Sequence, residues 1–243
     1  MSEAPLSEIV PIAGFPVRKT TSSALSAYLV ERMPRRKSIA VFFANTNLIS
    51  QCRALLPAMR ADRVLIVNDG IGLSIAAWLF HRERFPENLN GTDFTPYLLR
   101  QCPTPLRLFL IGASPQNLRK AEAHVREQLG QTVVGAIDGY RDLDDPSVID
   151  RVRASKPDVV LVALGNPLQE AWILRYREAL DVGALIGVGA LFDFWAGDKP
   201  RAPTLVRTLK LEWLFRLVLE PKRLFRRYTT DIVRFLWACY RRR

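Results

Sequence analysis

From residue 39 onward, short apolar runs alternate with stretches in which apolar positions recur at helical spacing. The runs are Ile39–Ala44, Val64–Val67, Leu106–Ile111, Val133–Ile137, Val159–Leu164 and Ala184–Val188. Each is apolar at successive positions rather than at every second one. That is the pattern of a strand buried on both faces of a parallel sheet. Between them the spacing predicts helices over about 47–59, 71–84, 93–101, 115–129, 145–155 and 168–180, with Asn47, Ser114 and Asp145 as N-caps. The alternation argues for an α/β fold: a Rossmann-like, mainly parallel sheet flanked by helices and joined by right-handed crossovers.

In such a sheet the loops that follow the strands share the carboxyl edge, where ligands bind. Here those loops hold the unusual residues: Asn45-Thr46-Asn47, Asn68-Asp69-Gly70-Ile71-Gly72, Gly112-Ala113-Ser114-Pro115, Gly165-Asn166-Pro167-Leu168-Gln169-Glu170 and Gly189-Ala190-Leu191-Phe192-Asp193. Asp69 sits where a general base can be approached closely by a substrate; the plain alternative is an Asp-Gly turn. Asn45, Thr46 and Asn47 suit sugar hydroxyls, although one of them is needed as a helix cap. Gly112 and Ala113 open a small-residue loop able to set a diphosphate on a helix N-terminus, or simply to pack helix against strand. It is not G-x-G-x-x-G, so a nicotinamide dinucleotide is poorly supported. Gln169 is a candidate contact to a nucleotide or sugar. Glu170 reads as an acid favouring the helix dipole. Asp193 is a donor contact or a turn residue.

The character changes past Gly197. Residues 1–198 carry a net charge of +1 and residues 199–243 a net of +10, out of +11 for the 243-residue chain. The expected division is therefore an α/β catalytic domain over 1–198 and a basic C-terminal appendage over 199–243. Leu205–Leu219 reads as a basic amphipathic helix, Pro221 as its break, and about Lys222–Tyr240 as a last helix. On that last helix Phe225, Tyr228, Ile232, Phe235, Leu236 and Cys239 share one face, and Arg223, Arg227, Arg234 and Arg241 the opposite one. This is the composition of a helix lying in a membrane interface. A folded-back appendage brings Arg216, Arg223 and Arg226 to a diphosphate, where guanidinium forks fit the oxygens.

Composition removes several classes. Hydrophobic residues make up 49%, so disorder is excluded. Three cysteines (Cys52, Cys102, Cys239) without a C-x-x-C pair argue against a disulfide framework or a thiolate zinc site. His81 and His124 are far apart and read as surface residues, and Asp142-Leu143-Asp144 reads as a charged capping loop rather than a metal-binding D-x-D. No metal and no cofactor is expected. The longest apolar run, Val182–Phe192, is far short of the roughly 18 residues that span a bilayer, and the first residues have no basic n-region. A nucleic-acid-binding protein and a non-catalytic membrane scaffold remain as rivals. The first is disfavoured by the apolar face of the appendage, so no nucleic-acid partner is expected.

The ordered set GVGALFDFWAGDKPRAP, LEWLFRLVLEPKRLFRR, NDGIG, Gly91-Thr92-Asp93, GASP and GNPLQEAW resembles the WecG/TagA/CpsF family of bacterial glycosyltransferases, glycosyltransferase family 26. The resemblance implies an inverting, metal-independent enzyme that moves a sugar from a UDP-sugar to a saccharide on undecaprenyl diphosphate. It implies Asp69 as base, Gln169 in the site, and Arg216, Arg223 and Arg226 as appendage arginines that complete it. It also implies peripheral attachment to an anionic membrane at the cytoplasmic face of the inner membrane. Two positions depart from the family pattern: Asn45 stands where Thr is usual, and Ala190 where Gly is frequent. With these, the A-N-T-N loop is more similar to the subgroup building xanthan- or acetan-like exopolysaccharide. That implies UDP-glucose as donor and glucosyl-diphospho-undecaprenol as acceptor, giving a cellobiosyl lipid. The N-acetylmannosamine-type transferases of cell-wall or capsular polymers are the alternative.

Overall fold

The computed structural model describes Leu6, residues 8–198 and residues 230–242. An eight-stranded sheet runs through the described residues in the order β1-β2-β4-β3-β8-β7-β5-β6. The strands are β1 (Ile9–Ile12), β2 (Phe15–Arg18), β3 (Ile39–Ala44), β4 (Val64–Asn68), β5 (Arg107–Gly112), β6 (Thr132–Ile137), β7 (Val159–Ala163) and β8 (Ala184–Gly187). Every pairing is parallel except β1 with β2. The six predicted strands are all present, with ends shifted by no more than one residue.

The β1–β2 hairpin was not foreseen. Its two-residue turn, Ala13-Gly14, has both φ angles positive, at 49° and 87°. That is the primed turn matching the twist of a hairpin, but Ala-Gly is a weaker signal for it than Asn-Gly. Pro11 and Pro16, which stand opposite each other, further mask the strands. Val10, Ile12, Phe15 and Val17 point into the core and hold the hairpin to the edge of the sheet.

Helices cover both faces. On one side lie α2 (Thr46–Gln51), α3 (Leu56–Met59), α4 (Ile71–His81), α7 (Pro146–Ser155), α8 (Leu168–Tyr176) and α10 (Thr230–Tyr240), on a core that includes Phe42, Ile66, Phe109 and Val160. On the other lie α1 (Ser22–Arg32), which the sequence reading also missed, α5 (Gly91–Gln101), α6 (Pro115–Glu127) and α9 (Leu191–Trp195), on Val41, Leu65, Leu108 and Leu161. Alternate residues of a strand serve the two cores: Ala40 and Phe42 face one, Ile39 and Val41 the other. The predicted 47–59 helix is three short pieces, α2, a 3-10 turn at Arg53–Leu55, and α3. The 168–180 helix ends in a 3-10 turn at Arg177–Ala179.

The last helix corrects an expectation. Phe235 and Cys239, assigned above to a membrane-facing stripe, are buried in the core of the body, and Leu236 packs beside them. α10 lies against α2 and α4. Its exposed side carries Val233, Trp237 and Tyr240 instead. The stretch before it, including the Leu205–Leu219 helix, lies outside the described residues.

Candidate functional site

At the carboxyl edge, the connections after β3 and β7 leave toward one face and those after β5 and β8 toward the other. The loop ends splay apart there, which opens a crevice. β3 and β4 pair so that Ala44 meets Asn68, which places Asn45 beside Asp69. Asn45 Nδ2 donates to Asp69 Oδ2 at 3.2 Å. Asn45 Oδ1 meanwhile accepts from the backbone N–H groups of Asn47 and Leu48 at 3.0 and 3.1 Å. The cap of α2 is therefore Asn45 and not Asn47, because only the residue before the first helical turn has the extended backbone that aims its side chain back at those donors. One amide caps a helix and orients a carboxylate together.

Asp69 is half-buried, and its N–H donates to Ala44 O at 2.6 Å. Gly70 follows with φ 93°, a backbone that side chains rarely adopt. α4 starts immediately after it, and its first turn meets the first turn of α2. A Cβ at Gly72 would come within 2.6 Å of Thr46 Cγ2, so glycine is what lets the two helix starts meet.

Asn47 reaches the other way. Its Nδ2 donates to Asn166 Oδ1 at 3.1 Å, and Asn166 Nδ2 donates to Glu170 Oε1 at 2.6 Å. Gln169 Nε2 donates to the same Glu170 oxygen at 2.8 Å, and Gln169 Oε1 accepts from Gly189 N at 3.0 Å. Cys52 Sγ approaches Glu170 Oε2 at 3.6 Å. Glu170 is thus a buried hub rather than a solvated acid favouring a helix dipole. Burial pushes its carboxyl above the usual range, opposed by the hydrogen bonds from Gln169, Asn166 and Cys52. The Cys52 thiol is pushed up in turn, by burial first and by the Glu170 carboxylate second. Neither Asn166 nor the hub was picked out from sequence. The GNPLQE run was visible, but its depth was not.

Further along the edge, Ala113 lines a cavity of about 390 Å³ with Ser114, Asn117, Tyr140 and Asp193, and Gly112 stands just before it. Gly112 has φ 122°, and a Cβ there would fall 2.2 Å from Ala163 O. Ser114 caps α6 as predicted. In its first turn Asn117 Nδ2 donates to Asp193 Oδ1 at 3.0 Å and to Asp198 Oδ2 at 3.2 Å. Two carboxylates therefore already supply the negative charge that the α6 N-terminus favours. The expected diphosphate seat here is better suited to groups that donate hydrogen bonds.

Asp145 caps α7 as predicted, and Asp144 accepts from Tyr176 Oη at 2.8 Å and pairs with Arg175 at 3.0 Å. His124 is not a plain surface residue: it stacks on Trp195 with ring centres 5.4 Å apart. Burial, with the Arg100 guanidinium adding to it, holds its imidazole below the usual range. Among the described residues no group of three or more His, Cys, Asp or Glu is arranged to hold a metal ion. No described helix is long and apolar enough to cross a membrane. Arg216, Arg223 and Arg226 lie outside the described residues.

The model of the Glycosyl transferase WecG/TagA/CpsF family matches residues 10–243. The chain is also similar to proteins named N-acetylglucosaminyldiphosphoundecaprenol N-acetyl-beta-D-mannosaminyltransferase. Those from Staphylococcus aureus strains NCTC 8325 / PS 47, COL and N315 are each 31% identical over 164 residues. The matched stretch covers 66% of this chain and 63% of each relative's length.

Proposed function

This chain belongs to the WecG/TagA/CpsF family of glycosyl transferases, and from that premise we propose that it transfers an N-acetylmannosamine-type sugar from a UDP-sugar to a saccharide on a polyprenyl diphosphate. The names of its relatives support that donor over the glucose implied by the Asn45 departure. The observation that carries the catalytic part is Asp69, half-buried at the end of β4 and held by Asn45.

In the proposed reaction Asp69 takes the proton of the acceptor hydroxyl as that oxygen attacks the anomeric carbon. The bond from that carbon to the UDP oxygen breaks, the configuration inverts, and UDP leaves with the electron pair. Charge growing on the diphosphate needs cations, and Arg216, Arg223 and Arg226 are the residues we assign to it. Gln169, with Asn47, Asn166 and Glu170 behind it, frames the sugar side of the crevice. Asp193 and the Ala113 loop offer acceptors to donor hydroxyl or imide groups. Peripheral attachment at the cytoplasmic face of the membrane follows from the lipid-linked acceptor and the basic appendage.

A second reading rests on Asn45 itself. An amide that caps α2 and donates to Asp69 stands at the sugar pocket where the family usually has a hydroxyl and a methyl, and this change of shape keeps UDP-glucose in play. The test is a transfer assay with both UDP-N-acetylmannosamine and UDP-glucose, each against N-acetylglucosaminyl- and glucosyl-diphosphate lipids, beside Asp69→Asn and with EDTA present. Product from UDP-N-acetylmannosamine, lost in Asp69→Asn, supports the proposal. Product from UDP-glucose alone moves the chain to the second reading, and no product from either donor sinks both.

A further inference from the structure

α4 carries large apolar side chains on both of its sides. Leu73, Ala76 and Ala77 face the core, yet Ile71, Ile75, Trp78 and Leu79 on the other side are 39% to 51% exposed. At 100° per residue these four fall within about a 100° arc. Ile71–Leu79 contains no charged residue, and Ser74 is its only side chain able to hydrogen-bond through oxygen. A helix face that burying its partner side already satisfies has no need of four large apolar side chains in water.

The neighbouring helix repeats the feature. α10 packs alongside α4 and leaves Trp237 and Tyr240 about 60% exposed (59% and 61%). Each exposed tryptophan carries an arginine over its ring. Arg82 Cζ lies 5.8 Å from the Trp78 centroid, and Arg241 Cζ lies 4.7 Å from that of Trp237. An indole with a guanidinium at its rim suits the boundary between acyl chains and anionic headgroups, where both side chains keep their polar ends wet.

We propose that the exposed side of α4, extended by Trp237 and Tyr240 of α10, seats the protein on an anionic lipid surface. This rests on the lipid-linked acceptor proposed above. α4 starts two residues after Asp69, so a surface docked along it brings the candidate base to the headgroup level where a lipid diphosphate stands. Arg82 and Arg241 over the two indoles, within a chain of net charge +11, complement such a surface. These arginines also argue against a second copy of the chain as the occupant, since two copies pressed together here would oppose like charges. The membrane contact is thus made by the α/β body as well as by the appendage, while the Phe235 and Cys239 stripe stays in the core.

The test uses the full chain and sedimentation with vesicles of phosphatidylglycerol and phosphatidylethanolamine, compared with phosphatidylcholine alone. The double variant Ile75→Ser, Trp78→Ser, shown folded by circular dichroism, is expected to bind the anionic vesicles at least about tenfold more weakly. Asp69→Asn is expected to bind as wild type does, so loss of transfer and loss of docking are read separately. A variant that preserves apolar surface, Trp78→Phe, is expected to bind normally but to lose a share of the fluorescence quenching by brominated acyl chains. Undiminished vesicle binding by the double variant overturns the inference, as does unchanged quenching in Trp78→Phe. Loss of a concentration-dependent self-association in the double variant, with vesicle binding intact, assigns the face to a second copy and overturns it too.

Discussion

Asn45 Nδ2 and Asp69 Oδ2 are 3.2 Å apart, joining the ends of two adjacent parallel strands that lie 24 residues apart in sequence. The same Asn45 side chain caps α2, so helix and carboxylate share one support. Asp69→Asn is expected to lower transfer by about 10²–10⁴, the usual contribution of a general base, with the melting temperature nearly unchanged. Asn45→Ala removes cap and donor together. It is expected to cost about 1 kcal/mol of stability and to lower turnover as well. Asn45→Thr keeps an oxygen for the cap and is expected to regain the stability. Thermal melts beside transfer rates check all three; full activity in Asn45→Ala would detach Asn45 from the base.

Glu170 sets a pH prediction. Its carboxyl is raised above the ordinary value of 4.5 by burial, so the folded state holds its proton more tightly than the unfolded state does. Stability then falls as pH rises above that value. Glu170→Gln keeps an oxygen for Asn166 and Gln169 but carries no charge. The variant is expected to match or exceed wild type at pH 8, the gap shrinking toward pH 5. Glu170→Ala strands both amides and is expected to cost about 1–3 kcal/mol. Denaturant melts from pH 5 to 8 decide; a gap that widens toward acid would contradict the sign.

Gly187 is the floor under Gln169. A Cβ added there would stand 3.0 Å from Gln169 Nε2 and 3.4 Å from Phe42 Cδ1. In Gly187→Ala the glutamine must move, while the strand itself gains rigidity. Transfer is expected to fall by up to about 10²-fold with little change in stability, since small misplacements near a reacting centre are costly. A fall in melting temperature that matches the fall in rate would make the effect one of folding alone.

Cys239 reports whether α10 stays on the body. Burial pushes its thiol up to about 12, and it lies in the core beside Phe235. Maleimide labelling at pH 7.5, read by mass spectrometry, is expected to leave Cys239 and Cys52 unmodified until the chain is unfolded. Protection is expected to persist on anionic vesicles. Rapid labelling of Cys239 there would mean that the helix lifts away and inserts by the very stripe that the folded chain buries.

The strands β3 to β8 were legible because a strand covered on both faces must be apolar at nearly every position, and that run survives in one dimension. The loops of the candidate site were legible for a related reason: small and polar residues after such runs mark the carboxyl edge of the sheet. The β1–β2 hairpin was not, because its prolines and its Ala13-Gly14 turn resemble loop chemistry until the edge of β4 is there to receive β2. Glu170 was misjudged because an acid in a first helical turn looks alike whether it is solvated or buried. The stripe of Phe235 and Cys239 was assigned to lipid because amphipathicity states that a face is covered and not by what.

Local pattern therefore determined which segments are strands and helices and which loops gather the polar residues, since periodicity, caps and turns depend on neighbours in the chain. The tertiary structure alone decided that Asn45 orients Asp69, that Asn47 reaches Asn166 across 119 residues, and that Gln169 is pinned against Gly189. Those contacts depend on the order β4-β3-β8-β7 in the sheet, and strand order is set by how whole helices pack over two faces rather than by any short stretch of sequence.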